Sequence, residues 1–174
     1  MINSKHAGEF ESIYKWDTMK EIGSHELKFK ERTVPGKTLE VELTSGEKVH
    51  VWRADNGEDY FCHGLTFGGK EAPGGPISPL GEYVLTILHS YYELVVPESK
   101  AVADDVLVWR GTSANDVVHS TIITEPVLTP GKNQLDYTTR LQTKNGIQLE
   151  TNMTLERLCE GYYGESYNCY RRRR

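Results

Sequence analysis

Short runs of alternating apolar and polar residues constrain the fold of this chain most. The segment TLEVEL (38–43) places Leu39, Val41 and Leu43 on one face, and KVHVWR (48–53) alternates in the same way. Successive side chains of a strand point to opposite faces, so each run predicts a strand with one buried face. The intervening TSGE is typical of a turn, which would join the two strands as a hairpin.

More strands are predicted in the second half of the chain. They cover DVLVWR (105–110), VVHSTIIT (117–124), QLDYTTRLQT (134–143), IQLE (147–150) and YNCYRR, the last as an edge strand. Asn145-Gly146 lies between two of these runs, and Asn-Gly between alternating runs is a strong hairpin signal. An antiparallel sheet is therefore expected here.

Helical patterns are fewer. Apolar residues recur at helical spacing over 81–92, and shorter helices are predicted over 10–19 and 154–164, while the glycine- and proline-rich segment 68–79 predicts a loop. No strand–helix–strand alternation is present, so the fold class is α+β. With 174 residues, the chain is expected to form a single domain over 37–174, preceded by an extension over 1–36.

The charge and the cysteine content exclude several classes of function. A net charge of −5 argues against broad nucleic-acid binding, and Arg171–Arg174 reads as a solvated tail. The sequence shows no signal peptide and no membrane-length apolar run, which predicts a cytoplasmic protein or export by a signal-independent route, without membrane binding. Three cysteines suggest free thiols, and no histidine or cysteine spacing suggests a metal site or another cofactor.

The segment YFCHGLTFGG (60–69) carries the strongest chemical signal. Cys62 follows a turn sequence at a position where a helix would begin, and Gly64 would allow close approach of a substrate. A thiol needs stabilisation of its thiolate to act as a nucleophile at neutral pH, and a helix start and an adjacent imidazolium both supply it. The alternative is a buried, inert cysteine, which is common in protein cores.

His119 is the candidate partner for Cys62. It lies near the start of an apolar strand, from which an imidazole could reach a helix packed on the same sheet. There it would take the thiol proton and later protonate the leaving group. The alternative is a strand histidine held by hydrogen bonds.

These motifs resemble those of the NlpC/P60 cysteine peptidases and related papain-like hydrolases. Cys62, Gly64, Leu65 and Thr66 match the family's nucleophile segment, and HSTIIT resembles its histidine strand. The stretch ADDVLVWR resembles the strand that precedes it, with an aspartate in the matching place. The resemblance covers about residues 58–146 and implies a papain-like fold, with a catalytic helix at its N-terminal end packed on an antiparallel sheet.

The resemblance also implies a third catalytic residue and an oxyanion donor. The third residue would come from the strand after His119, where both Asp136 and Gln142 are candidates. Oxyanion donors would be the Cys62 amide and the Asn56 side chain, although Asn-Gly is also ordinary turn chemistry. His63 replaces the family's serine; it could lower the thiol pKa, bind substrate or point elsewhere.

Together these features predict a cysteine hydrolase that cleaves an amide bond through an acyl-enzyme. Its substrate would be a peptide, a peptidoglycan stem peptide or a glutamine side chain, and a bacterial effector or toxin with a cognate inhibitor protein would fit. The departures from the family pattern, Phe61 before the cysteine and His63 after it, leave peptidoglycan least supported. Two alternatives stay open: an acyltransferase or transglutaminase-like enzyme, and a non-enzymatic α+β binding module.

Overall fold

Antiparallel strands make up most of the structure. The computed structural model describes residues 12–30, 32–112, 116–164 and 166–174. The strands are β1 (Tyr14–Ser24), β2 (Leu27–Lys28), β3 (Thr33–Val34), β4 (Gly36–Leu43), β5 (Lys48–Ala54), β6 (Ser78–Pro79), β7 (Tyr92–Leu94), β8 (Val106–Arg110), β9 (Val117–Glu125), β10 (Arg140–Thr143), β11 (Thr151–Thr154) and β12 (Tyr167–Arg172). The helices are α1 (Cys62–Thr66), α2 (Gly81–Tyr91) and α3 (Leu155–Leu158).

Two sheets carry the fold. The first has the strand order β1–β4–β5–β6, and the second has the order β11–β10–β9–β8–β12–β7. Among the described residues every strand pairing is antiparallel, including the separate pair of β2 and β3. The predicted hairpin is confirmed, since Leu39 pairs with Val51 and Val41 with Val49. The α+β class is therefore confirmed.

The second sheet is buried on both faces at β8, which explains why 106–109 is apolar without interruption. Val106 and Val108 contribute to the first core, which also contains apolar side chains of β4, β5 and α2. Leu107 and Trp109 point to the opposite face and contribute to the second core, which contains side chains of α3 and Cys169. Successive side chains of β8 thus alternate between two buried cores, rather than between one core and solvent.

The N-terminal prediction was wrong in its secondary structure. In place of a helix over 10–19, β1 begins at Tyr14 and pairs with β4, with bulges that shift its register. Residues 12–36, expected to be part of an extension, thus supply an edge strand of the first sheet, and Ile13 and Tyr14 are buried in the first core. Residues 1–11, which include the start of the predicted helix, lie outside the described residues. Pairing with β4 determines the secondary structure of this segment, because its local sequence pattern is ambiguous between helix and strand.

The C-terminal half differs from prediction in three boundaries. Of the predicted strand 134–143, only Arg140–Thr143 forms a strand, while Leu135 makes an isolated bridge with Leu128. The hairpin partner of this strand is Thr151–Thr154 rather than 147–150. The helix predicted over 154–164 consists of α3 followed by a wider π-helical turn over Cys159–Tyr163. The last strand, β12, is internal, because β7 pairs along its outer side.

Arg171 belongs to β12 and not to a solvated tail. Its Nε lies 2.9 Å from Asp105 Oδ1 and its Nη2 lies 2.9 Å from Asp105 Oδ2. Asp105 is 2% exposed and also accepts a hydrogen bond from the Val102 amide. This two-pronged ion pair fixes the end of the chain to the start of β8.

Candidate functional site around Cys62

Helix α1 begins at Cys62, at the position that the sequence predicts for a helix start. The amide of Phe61, just before the helix, donates to Ser78 Oγ at 3.0 Å. Gly64 faces β6 so closely that a Cβ built there would lie 2.6 Å from the Ile77 carbonyl oxygen. The absence of a side chain at Gly64 thus allows α1 to pack against the first sheet. The sequence had instead predicted that this glycine allows close approach of a substrate.

The Cys62 thiol is enclosed by polar groups. Its Sγ lies 3.6 Å from His63 Nδ1, and the backbone and hydroxyl of Ser120 on β9 are also within hydrogen-bonding reach. Burial raises the pKa of the thiol to about 11, although the hydrogen bonds from Ser120 act in the opposite direction. The thiol is therefore neutral at physiological pH, whereas the sequence predicted a lowered pKa.

His63 is held in one tautomer by its partners. Its Nε2 lies 2.8 Å from the Val117 carbonyl oxygen, which can only accept, so Nε2 carries the proton. In the neutral ring Nδ1 then has a free lone pair, and it faces Cys62 Sγ and, at 2.8 Å, Ser120 Oγ. Burial lowers the pKa of His63 to about 4, which keeps the ring neutral. His63 therefore faces the thiol as a base would.

Ser120 extends this contact to the end of α1. Its Oγ donates to Thr66 Oγ1 at 3.0 Å while it lies beside His63 Nδ1. Both hydroxyl residues are buried. One hydroxyl proton cannot serve both neighbours at once, and when it points to His63 it competes with the thiol proton for the Nδ1 lone pair.

His119 lies on the other face of the second sheet from Ser120, as adjacent strand residues do. Its Nε2 lies 2.9 Å from Thr143 Oγ1, and its ring stacks on Tyr163 with centroids 3.8 Å apart. Burial, with a smaller contribution from His63, lowers the pKa of His119 to about 3. These contacts belong to the second core and do not join His119 to the Cys62 thiol.

The candidates for the third catalytic residue have other partners. Gln142 Nε2 donates to Glu150 Oε1 at 3.2 Å. Asp136 accepts from the Thr138 amide at 3.0 Å and from its hydroxyl at 2.6 Å, which is a local turn at the surface. Thr143, which the sequence did not single out, is the residue that bonds His119.

Asn56 also has a turn role. Its Oδ1 accepts from the amides of Glu58 and Asp59, and its Nδ2 donates to the Asp59 carboxylate at 2.8 Å. This is the Asx-type turn that the alternative interpretation of Asn-Gly describes. The side-chain amide is occupied there and does not point to Cys62.

A polar cluster that interacts electrostatically with Cys62 through Lys144 was missed by sequence reasoning. Lys144 is only 5% exposed, donates to the carbonyl oxygens of 147 and 148, and places its ammonium 4.4 Å from the centre of the Tyr60 ring. Glu150 bonds the Tyr60 hydroxyl and lies 2.7 Å from Lys70 Nζ. Lys144 directly precedes the Asn145-Gly146 hairpin signal, and nothing in its local sequence indicates burial.

Comparisons with known proteins add no further assignment. No protein-family model, no curated protein and no solved structure matches the chain. Among the described residues, no helix is long and apolar enough to span a membrane. Within the same residues, no three histidine, cysteine or acidic side chains are grouped to hold a metal ion, and the three cysteines are free and buried.

Proposed function

We propose that the protein is a cysteine hydrolase that cleaves an amide bond through an acyl-enzyme on Cys62. The observation that carries this proposal is the lone pair of His63 Nδ1, 3.6 Å from the thiol sulfur, with the tautomer held by Val117. A general base must lie within reach of the proton that it takes, and it must be unprotonated at working pH. A histidine with a pKa of about 4 meets the second condition.

The reaction would start from a neutral thiol and not from a preformed ion pair. As Sγ attacks the carbonyl carbon, the thiol proton moves to His63 Nδ1 and a C–S bond forms. The carbonyl electrons move to oxygen, for which the Cys62 amide is the candidate donor. The C–N bond then breaks, the amine takes the proton from His63, and water hydrolyses the thioester by the same route.

The assignment of His63 as the base departs from the NlpC/P60 pattern. In that pattern His119 would be the base and Asp136 or Gln142 would orient it. The contacts of the sulfur favour His63, while the order of Cys62 and His119 along the chain favours His119. Variants of the two histidines separate these assignments.

The substrate class follows from the acyl-enzyme chemistry alone. A peptide, a peptidoglycan stem peptide and a glutamine side chain all present a suitable amide carbonyl. An amine acceptor in place of water would give an acyltransferase. An effector or toxin with a cognate inhibitor protein stays within the proposal as its biological setting.

The test is acylation by an activated ester, p-nitrophenyl acetate, followed by mass spectrometry of the peptide that carries Cys62. We expect a thioester on Cys62, no product in Cys62→Ala, and a rate about 100-fold lower in His63→Gln. His119→Gln is the matched control and should change the rate by less than about threefold. A large loss in His119→Gln with His63→Gln unaffected would move the base to His119.

A non-enzymatic binding module is the second candidate. The observation that favours it is the burial of Cys62, which is 5% exposed and has a pKa of about 11. A buried thiol of this kind reacts slowly with external reagents. If acetylation were equally slow at Cys62, Cys159 and Cys169, the binding module would be the better description.

A further inference from the structure

A cavity of about 330 Å³ lies away from Cys62, on the side of the second core. Its lining residues come from three segments that are far apart in the chain: Glu98, Gln134, Leu135, Tyr137, Tyr167, Asn168 and Cys169. A volume of this size is at the lower end of the range for small-molecule sites. It can hold a ligand of a few carbon atoms with one polar group.

Glu98 supplies the charge of this cavity. Its Oε1 lies 3.4 Å from the Tyr167 hydroxyl, and the Leu135 amide also bonds the carboxylate. Across the described ranges, none of the ion pairs involves Glu98. Arg171, the nearby arginine, is occupied by Asp105 through both Nε and Nη2. Burial raises the pKa of Glu98, as expected for a carboxylate without a cationic partner.

The walls of the cavity suit an organic cation. Tyr137 and Tyr167 are among the lining residues, and aromatic rings attract cations. Gln134 and Asn168, whose side-chain amides carry acceptor oxygens, and the apolar Leu135 are also lining residues. A carboxylate, aromatic faces and amide oxygens together match a primary ammonium or a guanidinium group on a short aliphatic chain.

We propose that this cavity binds an alkylammonium group, with Glu98 as the counter-ion. The ammonium would donate to the Glu98 carboxylate beside Tyr167, and its alkyl chain would lie against Leu135. The chemistry is shared by a free alkylamine and by a lysine side chain of a peptide. The proposal is independent of the hydrolase, because none of these residues contacts Cys62, His63 or Ser120.

The experiment is a titration of the intact protein near neutral pH, followed by the amide NMR signals of Leu135, Tyr167 and Cys169. The probes are n-butylammonium, the neutral n-butanol and the anionic butyrate, which share the alkyl chain. We expect saturable shifts with n-butylammonium and at least about tenfold weaker binding of the other two. Equal binding of the three probes, or shifts that do not saturate, would overturn the proposal without any variant.

Two variants test whether Glu98 supplies the negative charge that binds the ammonium group. Glu98→Gln should weaken n-butylammonium binding at least about tenfold, while Glu125→Gln, the same change at an exposed carboxylate, should leave it unchanged. Unchanged binding in Glu98→Gln would reject Glu98 as the counter-ion. A capped Gly-Gly-Lys-Gly-Gly peptide distinguishes the sources: tighter binding than n-butylammonium supports a lysine side chain, and weaker binding supports a free amine.

Discussion

At the scale of single residues, the neighbours of a side chain decide its chemistry. Cys62 and His63 are both buried, so the charged form of each is disfavoured and the pair is neutral. The Val117 carbonyl fixes which His63 nitrogen carries the proton, a function that catalytic sites often give to a carboxylate. His63 is therefore neutral and presents its Nδ1 lone pair toward the thiol, which is the state that a general base needs.

The raised pKa of Cys62 predicts a steep pH dependence of its alkylation. Below a pKa of about 11, the thiolate fraction rises about tenfold for each pH unit. The rate of iodoacetamide modification, read for each cysteine by mass spectrometry, should therefore rise in this way between about pH 7 and pH 10. Cys169, with a pKa raised to about 12, is the internal control and should be slower. A rate for Cys62 that is level across this range would instead indicate a thiolate paired with His63.

At the scale of elements, close backbone contact decides where α1 lies. The five-residue helix is too short to be stable alone, so it depends on its contacts with β6 and β9. Ser78 accepts from the amide before the helix, and the absent side chain of Gly64 allows the approach to Ile77. These contacts position Cys62 against Ser120.

Gly64→Ala should therefore destabilise the protein. The new Cβ would lie 2.6 Å from both the Ile77 carbonyl oxygen and Ser78 Oγ, so α1 must shift. We expect a loss of about 2 kcal/mol in the free energy of unfolding, measured by urea denaturation. Gly161→Ala is the control, because nothing lies within 4 Å of its Cβ position. Equal effects of the two substitutions would contradict this role of Gly64.

The pairing of β12 with β8 depends on an ion pair as well as on strand hydrogen bonds. Arg171→Ala would leave Asp105, at 2% exposure, without its cationic partner. We expect a loss of about 2 kcal/mol in the free energy of unfolding, less than for a fully buried pair because the arginine side chain is 41% exposed. Arg173→Ala, at an exposed position two residues on, should stay within about 0.5 kcal/mol of the parent protein. Similar losses in both variants would argue for a general effect of charge.

At the scale of the whole molecule, the second sheet separates two buried regions, and each holds a neutral histidine. His63 lies on the side of α1, and His119 lies on the side of α3 and the π-helical turn. Both have lowered pKa values, about 4 and about 3, because burial penalises the imidazolium. Protonation of either histidine at acidic pH should therefore destabilise the folded protein.

The direction of this pH effect on the free energy of unfolding follows from the two pKa values of His63, folded and unfolded. Between the ordinary histidine pKa of 6.5 and the folded value of about 4, the unfolded chain binds the proton first, so stability falls as the pH falls. His63 alone should account for a loss on the order of 3 kcal/mol over this range, with no further loss from this group at lower pH. Urea denaturation of the parent protein and of His63→Gln, compared from about pH 7 to pH 4, measures the difference. Parallel pH profiles for the two proteins would show that His63 does not contribute.

The sequence by itself determined the local patterns. Alternation predicted the β4–β5 hairpin, short apolar runs predicted β8 and β9, helical spacing predicted α2, and the turn before Cys62 predicted the start of α1. These signals depend on the side chains of a few neighbouring residues, so a short window contains them. The class α+β followed from their order.

Only the tertiary structure decided which residues meet. The N-terminal segment became β1 because β4 offers it a partner, and His119 faces Thr143 and Tyr163 because Ser120 takes the side of α1. His63 acquired its tautomer from Val117, 54 residues away, and the Lys144 ammonium lies over the ring of Tyr60, which is also distant in the sequence. Contacts across such separations depend on how the two sheets pack, and no local pattern encodes them.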